Sequence, residues 1–226
     1  MDNNHFAIVM AGGVGARFWP SSTPDYPKQF IDMLGNGSSL LQTTFSRLEK
    51  IVPKENIYIV TQLRYQKIIL GQLGGKLNED QIISEPDRRN TAPCILLASL
   101  KIQKRNPVAK IIVSPSDHSI QNEMIFKSDM EFALASARNE NLITFGIVPT
   151  FPATGFGYVS VKADENRLKT VLEITEKTHE NKAKSLIDSG NYYWNSGIFV
   201  WSVNAVINGC LLYTSDAADE EDSVDL

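Results

Sequence analysis

Short apolar runs alternate along the chain with longer stretches in which apolar residues recur every three or four positions. The runs at 6–11, 57–61, 81–84, 110–114 and 142–148 have the length and Ile/Val content of buried strands. The stretches at 39–51, 62–73, 91–105 and 126–139 carry helical periodicity. In the first of these Leu41, Phe45, Leu48 and Val52 define a core face, and Ser38 or Ser39 stands ready as N-cap. In the third, Pro93 falls in the first turn, where its missing N–H is not needed. Such alternation predicts an α/β fold, a Rossmann-like, mostly parallel sheet flanked by helices. After Val148 the rhythm changes to three short β-like runs at 158–162, 168–175 and 197–201, which predict a small antiparallel or mixed β extension. Ligands of open α/β sheets bind beyond the carboxyl ends of the strands. The loops after Ala11, Ser84, Ser114 and Val148 are therefore expected to line one cleft.

Composition narrows this picture. With 226 residues, 42% of them hydrophobic, the chain can build one sizeable α/β domain, or one domain and an incomplete second. No apolar run approaches the roughly 20 residues of a membrane span, and no charged-then-apolar signal precedes Phe6, so a cytoplasmic protein with no membrane partner is expected. Cys94 lies in an apolar helical stretch and Cys210 is the only other cysteine, a pattern of buried free thiol rather than disulfide or metal ligand. The net charge of −4 is local: residues 210–226 hold six acids and no base, and the remaining 20 acids face 22 Lys and Arg. A near-neutral body argues against a nucleic-acid partner and suits a few cations around a small anionic substrate. The hydrophobic pattern breaks after Ile207-Asn208. Residues 1–208 are thus expected to form the folded domain, incomplete at its C-terminus, and 209–226 a disordered tail of non-native origin, although a genuine solvated acidic terminus would have the same composition.

The densest chemistry lies in Ala11-Gly-Gly-Val-Gly-Ala-Arg17-Phe-Trp-Pro20 and Pro27-Lys28-Gln29-Phe30. Gly12, Gly13 and Gly15, just after a strand, let backbone N–H groups approach an anion. Arg17 adds a guanidinium that forks onto phosphate oxygens and Lys28 a point charge. The spacing is neither the dinucleotide-binding nor the P-loop pattern, and a tight turn alone would also use these glycines. Ser114-Pro-Ser-Asp117-His118 sets a carboxylate at a strand end, where it can hold Mg²⁺ through a hard oxygen or cap the following turn. Its neighbour His118 reads as a histidine satisfied by nearby backbone rather than a catalytic one. Glu85-Pro-Asp-Arg-Arg-Asn90-Thr91-Ala-Pro93 is an unusually polar strand-to-helix connection, either a solvated turn with an Asn90 or Thr91 cap or a ligand-contacting loop. Thr154-Gly155-Phe156-Gly157-Tyr158 reads as a β-turn that also allows close backbone approach, and Glu176-Lys177 alone as an exposed charge pair.

In their order, these motifs resemble those of the mannose-1-phosphate guanylyltransferases, or GDP-mannose pyrophosphorylases, over about residues 6–208. The resemblance implies the nucleotide-diphospho-sugar transferase fold. It also implies transfer of GMP from GTP to mannose 1-phosphate, giving GDP-mannose and diphosphate, with Mg²⁺ as cofactor and a homodimer as one possible state of the full-length protein. Catalytic roles fall on Arg17, Lys28 and Asp117, the last as magnesium ligand. Nucleotide contacts fall on Ala11, Gly12, Gly13, Gly15, Arg17, Lys28, Glu85, Asn90, Thr91 and Pro93, with Glu85 suited to accept from guanine N1–H and the 2-amino group. Sugar contacts fall on Thr154, Gly155, Gly157, Tyr158, Glu176, Lys177 and Asn195, the last within Asn195-Ser-Gly197. Three positions depart from the pattern: Ala16 where a hydroxyl is common, Phe156 for Tyr and Thr178 for Pro. The relatives draw a second magnesium carboxylate from beyond residue 208, so weak or absent turnover is expected of the chain as written. Another hexose 1-phosphate nucleotidyltransferase and a non-catalytic sugar-nucleotide-binding module are the alternatives.

Overall fold

The apolar runs become strands and the periodic stretches helices in a computed structural model that describes residues 1–13, 18–86 and 91–210. In chain order the elements are β1 (His5–Met10), α1 (Leu40–Leu48), β2 (Ile57–Gln62), α2 (Gln66–Gln72), β3 (Ile82–Glu85), α3 (Thr91–Arg105), β4 (Lys110–Pro115), α4 (Glu123–Ser136), β5 (Leu142–Ile147), β6 (Tyr158–Val161), β7 (Val171–Thr175), α5 (Glu180–Asp188) and β8 (Tyr192–Ser202). The chain divides into two compact units, Met1–Ile143 with the chain from Phe199 onward, and Thr144–Ile198.

In the first unit β3, β2, β1 and β4 lie side by side and parallel, with Ala7 of β1 opposite Ile57 on one flank and Ile112 on the other. The last residues of β8 run antiparallel to β4, Phe199 opposite Val113 and Ser202 opposite Lys110. One face packs Phe6, Ile8, Tyr58, Val60, Ile111 and Val113 against Cys94, Ile95, Ala98 and Ile102 of α3 and against Val203, Val206 and Ile207. Strands covered on both faces read as unbroken apolar runs, which is why these are legible in the sequence. α1 opens with a capping box in which Ser39 Oγ accepts from Gln42 N and Gln42 Oε1 accepts from Ser39 N.

Some expected boundaries move. The 62–73 stretch begins instead with the end of β2, followed by a 3₁₀ turn at Leu63–Tyr65, and only then α2. α4 starts three residues before the expected 126, because Asn122 Oδ1 accepts from Ile125 N at 3.1 Å and sets the cap there. The chain is helical over 203–210, across the boundary expected at 208, and the expectation for 211–226 lies outside the described residues. Among the described residues no helix is long and apolar enough to cross a membrane.

The second unit is an antiparallel ladder. β6 pairs with β7 and with β8, Tyr158 lying opposite Thr175 and Trp194, and β5 also pairs with β8. β8 is eleven residues long, extending well before the expected 197–201. The hydrophobic pattern does not predict α5, because its charged composition hides a narrow stripe of Ala183, Leu186 and Ile187 that packs on Tyr158, Tyr192 and Trp194.

Candidate active site

The glycine loop leaves β1 with its carbonyls already committed. Ala11 N donates to Val60 O at 2.8 Å, continuing the sheet. Ala11 O accepts from Thr61 Oγ1 and from Gln29 Nε2, both at 3.0 Å, Gly12 O from Gln62 Nε2 at 3.2 Å, and Gly13 O from Gln29 Nε2 at 2.8 Å. Gly12 lies close against Glu85: a Cβ there would meet Glu85 Oε2 at 3.2 Å, so the carboxylate would have to give by a few tenths of an ångström. The loop and Glu85, at the end of β3, therefore share one place. Gly15, Arg17 and Asn90 lie outside the described residues.

Lys28 stands in a short 3₁₀ turn, Lys28–Phe30, anchored by the buried Phe30. Phe30 packs on Tyr65 at 5.5 Å between ring centroids, and its carbonyl accepts from Gln72 Nε2 at 2.7 Å and Tyr26 Oη at 3.0 Å. So held, Lys28 Nζ reaches Asp117 Oδ2 at 2.5 Å and lies 5.1 Å from the Phe18 ring centroid. The carbonyls on either side of Asp117 are held by α1, Ser116 O by Thr44 Oγ1 at 3.3 Å and His118 O by Arg47 Nη2 at 3.5 Å. Ser116 N in turn donates to Met10 O at 3.2 Å, tying this loop to the end of β1. The loops after Ala11, Ser84 and Ser114 thus meet at the carboxyl ends of the parallel strands, as such sheets require.

Burial lowers the pKa of His118; Asp117 opposes the shift, while Lys28 and Arg47 add to it, so the imidazole is neutral at neutral pH. Burial, reinforced by the carboxylate of Glu85, pushes the Cys94 thiol up to about 12, leaving it an inert part of the core. Thr91 and Pro93 sit exposed in the first turn of α3. Among the described residues no three His, Cys, Asp or Glu side chains cluster as a metal cage. A lone half-buried carboxylate such as Asp117 fits a magnesium ion that shares its coordination with phosphate oxygens, the usual arrangement for that ion. A cavity of about 500 Å³ lined by His5, Lys50, Lys110 and Lys127 opens at the opposite, amino-terminal ends of β1 and β4 and holds none of these residues.

In the second unit the structure brings together Gly157, Asn195 and Glu176. Asn195 N donates to Gly157 O at 2.8 Å, and a Cβ on Gly157 would lie 3.7 Å from Asn195 Cβ and 4.0 Å from Glu176 Oε1. Asn195 Oδ1 accepts from Gly197 N and Thr144 Oγ1, which fixes the plane of the amide. Thr154, Gly155, Glu176 and Lys177 are exposed. Tyr158 differs from the sequence expectation. Its side chain is fully buried under α5 and its hydroxyl donates to Ala153 O at 2.8 Å, so it closes the turn instead of facing a sugar.

Gln29, Thr61, Gln62, Thr44 and Arg47 belong to the site without being evident from the sequence. The available signal is the pair of polar residues ending the apolar run Ile57-Tyr-Ile-Val-Thr-Gln62, and an amide wedged between Lys28 and the apolar Phe30.

Known proteins resemble this chain in sequence and fold. Mannose-1-phosphate guanylyltransferases of Salmonella montevideo and Escherichia coli K12 are 40% and 37% identical to the chain over 208 and 223 residues, 88% and 95% of this chain but 43% and 46% of theirs. The chain therefore spans about half the length of the curated relatives it matches. A solved structure from Thermus thermophilus, described as a mannose-1-phosphate geranyltransferase, superposes with a TM-score of 0.82 at 28% identity, over 89% of this chain and 58% of that one. The nucleotidyl transferase family model matches residues 6–209, which takes in the glycine loop, the Lys28–Asp117 pair and the Gly157–Asn195 contact, and the chain belongs to that family.

Proposed function

We propose that this chain carries the catalytic half of a mannose-1-phosphate guanylyltransferase, which joins GTP and mannose 1-phosphate into GDP-mannose and releases diphosphate. The Lys28–Asp117 pair beside the glycine loop carries the reading. One cation and one carboxylate, 2.5 Å apart at the strand ends, are what a magnesium–triphosphate complex needs, each able to exchange its partner for a phosphate oxygen or a metal ion. The relatives named for this reaction, similar over most of the chain, supply the substrate class.

On this reading a phosphate oxygen of mannose 1-phosphate attacks the α-phosphorus of GTP, a new P–O bond forms, and the bond to the β-phosphate breaks with its electrons leaving on diphosphate. The sugar phosphate is anionic at neutral pH, so no protein nucleophile or base is required, and the protein supplies position and charge. Lys28 turns from Asp117 to the phosphates undergoing reaction, and Arg17 takes the departing β- and γ-phosphates. The N–H groups of Gly12 and Gly13 line the phosphates, and Glu85 accepts from the guanine edge. Magnesium, held by Asp117 and the nucleotide, supplies charge neutralisation at the α-phosphate when bound. In the second unit the NH₂ of Asn195 and the carboxylate of Glu176 bind mannose hydroxyls, and Lys177 its phosphate.

The test is diphosphate release by the purified protein with GTP, mannose 1-phosphate and Mg²⁺, repeated with ATP and UTP. Release that is slow, needs the sugar phosphate and prefers GTP is expected. Equal use of UTP or ATP, or release without sugar phosphate, would overturn it.

A further inference from the structure

Three consecutive carbonyls of the glycine loop point at side chains, and one residue takes two of them. Gln29 is 2% exposed, and its single amide nitrogen donates both its hydrogens, to Ala11 O and Gly13 O. Gln62 takes the carbonyl between them. A peptide is planar and trans, so its N–H points opposite to its C=O. Holding Ala11 O inward turns Gly12 N–H outward, and holding Gly12 O does the same for Gly13 N–H. Among the described residues neither of these two N–H groups has a protein acceptor. Glycines need such restraint more than other residues, because a peptide flip next to them meets little steric resistance. Gln29 is also the residue after Lys28, inside the turn fixed by Phe30, so the bonds that orient the loop also set the position of the lysine that pairs with Asp117.

We propose that Gln29 is a positioning residue for the nucleotide: it locks the loop peptides with their N–H groups toward the phosphates and keeps Lys28 in register with them. This rests on the functional reading above. Buried glutamine amides with two backbone acceptors also serve purely structural ends, and the same chain contains one. Gln81, 3% exposed, donates to Lys54 O and Ile57 O, both at 2.8 Å, at the amino-terminal end of β2, where no site residue lies. It provides the matched control.

The experiment measures affinity for GTP with Mg²⁺, by calorimetric titration, and melting temperature in wild type, Gln29→Met, Gln81→Met and Gln62→Met. Methionine keeps the length of glutamine and removes the donors. Gln29→Met is expected to weaken GTP binding about tenfold, the equivalent of one to two buried hydrogen bonds, and to leave mannose 1-phosphate affinity unchanged. The partly exposed Gln62→Met, which frees one carbonyl only, is expected to weaken GTP binding about two- to threefold and supplies the answer should Gln29→Met fail to fold. Gln81→Met is expected to melt earlier with GTP affinity intact. Wild-type GTP affinity in Gln29→Met, or in Gln62→Met if that is the variant that folds, overturns the proposal, as does an equal loss in Gln81→Met. A wild-type protein that binds no GTP overturns the functional reading and this one with it, so the two failures are distinct.

Discussion

The two units hold the backbone of their glycine-containing turns in different ways. In the first, the loop at 11–13 is gripped by side chains of Gln29, Thr61 and Gln62 that stand on a core in which Phe6, Ile8 and Ile111 are almost completely buried. In the second, Gly157 is held by the strand ladder itself through Asn195 N, and the turn before it by the hydroxyl of Tyr158, which is also a centrepiece of the small core under α5. Around that core Phe151, Leu172 and Ile174 are each more than half exposed. The difference teaches where site and scaffold separate. Residues that grip the glycine loop are distinct from those that fill the first core, whereas in the second unit one tyrosine does both.

The largest expected effect follows from that separation. Lys28→Ala removes a reaction-facing charge and little packing, and kcat/KM should fall about 100- to 1000-fold. Its ion pair, with side chains 28% and 24% exposed, is still in contact with solvent and contributes modestly to folding, so the melting temperature should change far less than the activity. Steady-state kinetics beside a thermal melt checks both, and a loss of activity matched by a loss of folding would erase the contrast.

Core truncations come next and should sort by unit. Ile8, at 0% exposure in the middle of a parallel sheet, is expected to cost about 4 kcal/mol as Ile8→Ala, and Leu186, at 8%, about 2 kcal/mol as Leu186→Ala. The smaller loss should nonetheless reach function first. With Tyr158 loosened, affinity for mannose 1-phosphate should drop while GTP affinity persists. Parallel titrations with the two substrates decide this, and equal losses of both would mean that the two units do not behave separately.

How much of this is legible depends on how each region encodes itself. Parallel strands buried on both faces announce themselves as apolar runs, and Asp117 and Glu85 can be placed because each follows or ends such a run, whereas Lys28 is legible only through its motif Pro27-Lys28-Gln29-Phe30. Gln29 leaves no such trace, because a buried amide gives no periodic signal and its acceptors, Ala11 O and Gly13 O, are backbone atoms sixteen or more residues away. The antiparallel unit is readable only in outline. β8 changes along its length from half-buried Tyr192-Tyr-Trp to buried Val200-Trp201, so only its apolar end looks like strand, and α5 buries too few residues to stand out from its charges. Tyr158 is expected at the sugar by resemblance alone; the segment Thr154-Gly155-Phe156-Gly157-Tyr158 reads equally as a turn entering a strand, and only packing separates the two.

A smaller effect is expected from Gly146, where β5 passes β8 so closely that a Cβ would fall 2.7 Å from Tyr193 Cβ. Gly146→Ala must part the two strands and should cost about 1–3 kcal/mol in a chemical denaturation curve. Both contacting atoms are stiff, so a variant as stable as wild type would show that the ladder yields where the first core does not.

The smallest effect tests the support beneath Asp117. Glu123 receives Lys50 Nζ at 2.6 Å and lies 3.7 Å from Nε of Arg47, the buried guanidinium that also donates to His118 O. The hydrogen bond from Lys50, then the charges of Lys50 and Arg47, hold the Glu123 carboxyl below its ordinary pKa. A carboxylate whose pKa is lower in the folded than in the unfolded protein binds fewer protons when folded. Its stabilisation is therefore complete above the ordinary carboxylate range and is lost as the pH falls through the folded value. Glu123→Gln should cost about 0.5 kcal/mol at pH 7, a modest figure because the side chain is more than a third exposed to solvent. The difference from wild type should shrink toward zero in acid, and urea denaturation at pH 7 and pH 3 measures it. A penalty that stays constant across that range would show that Glu123 acts through shape rather than charge, and that Arg47 holds the Asp117 loop without a charged partner.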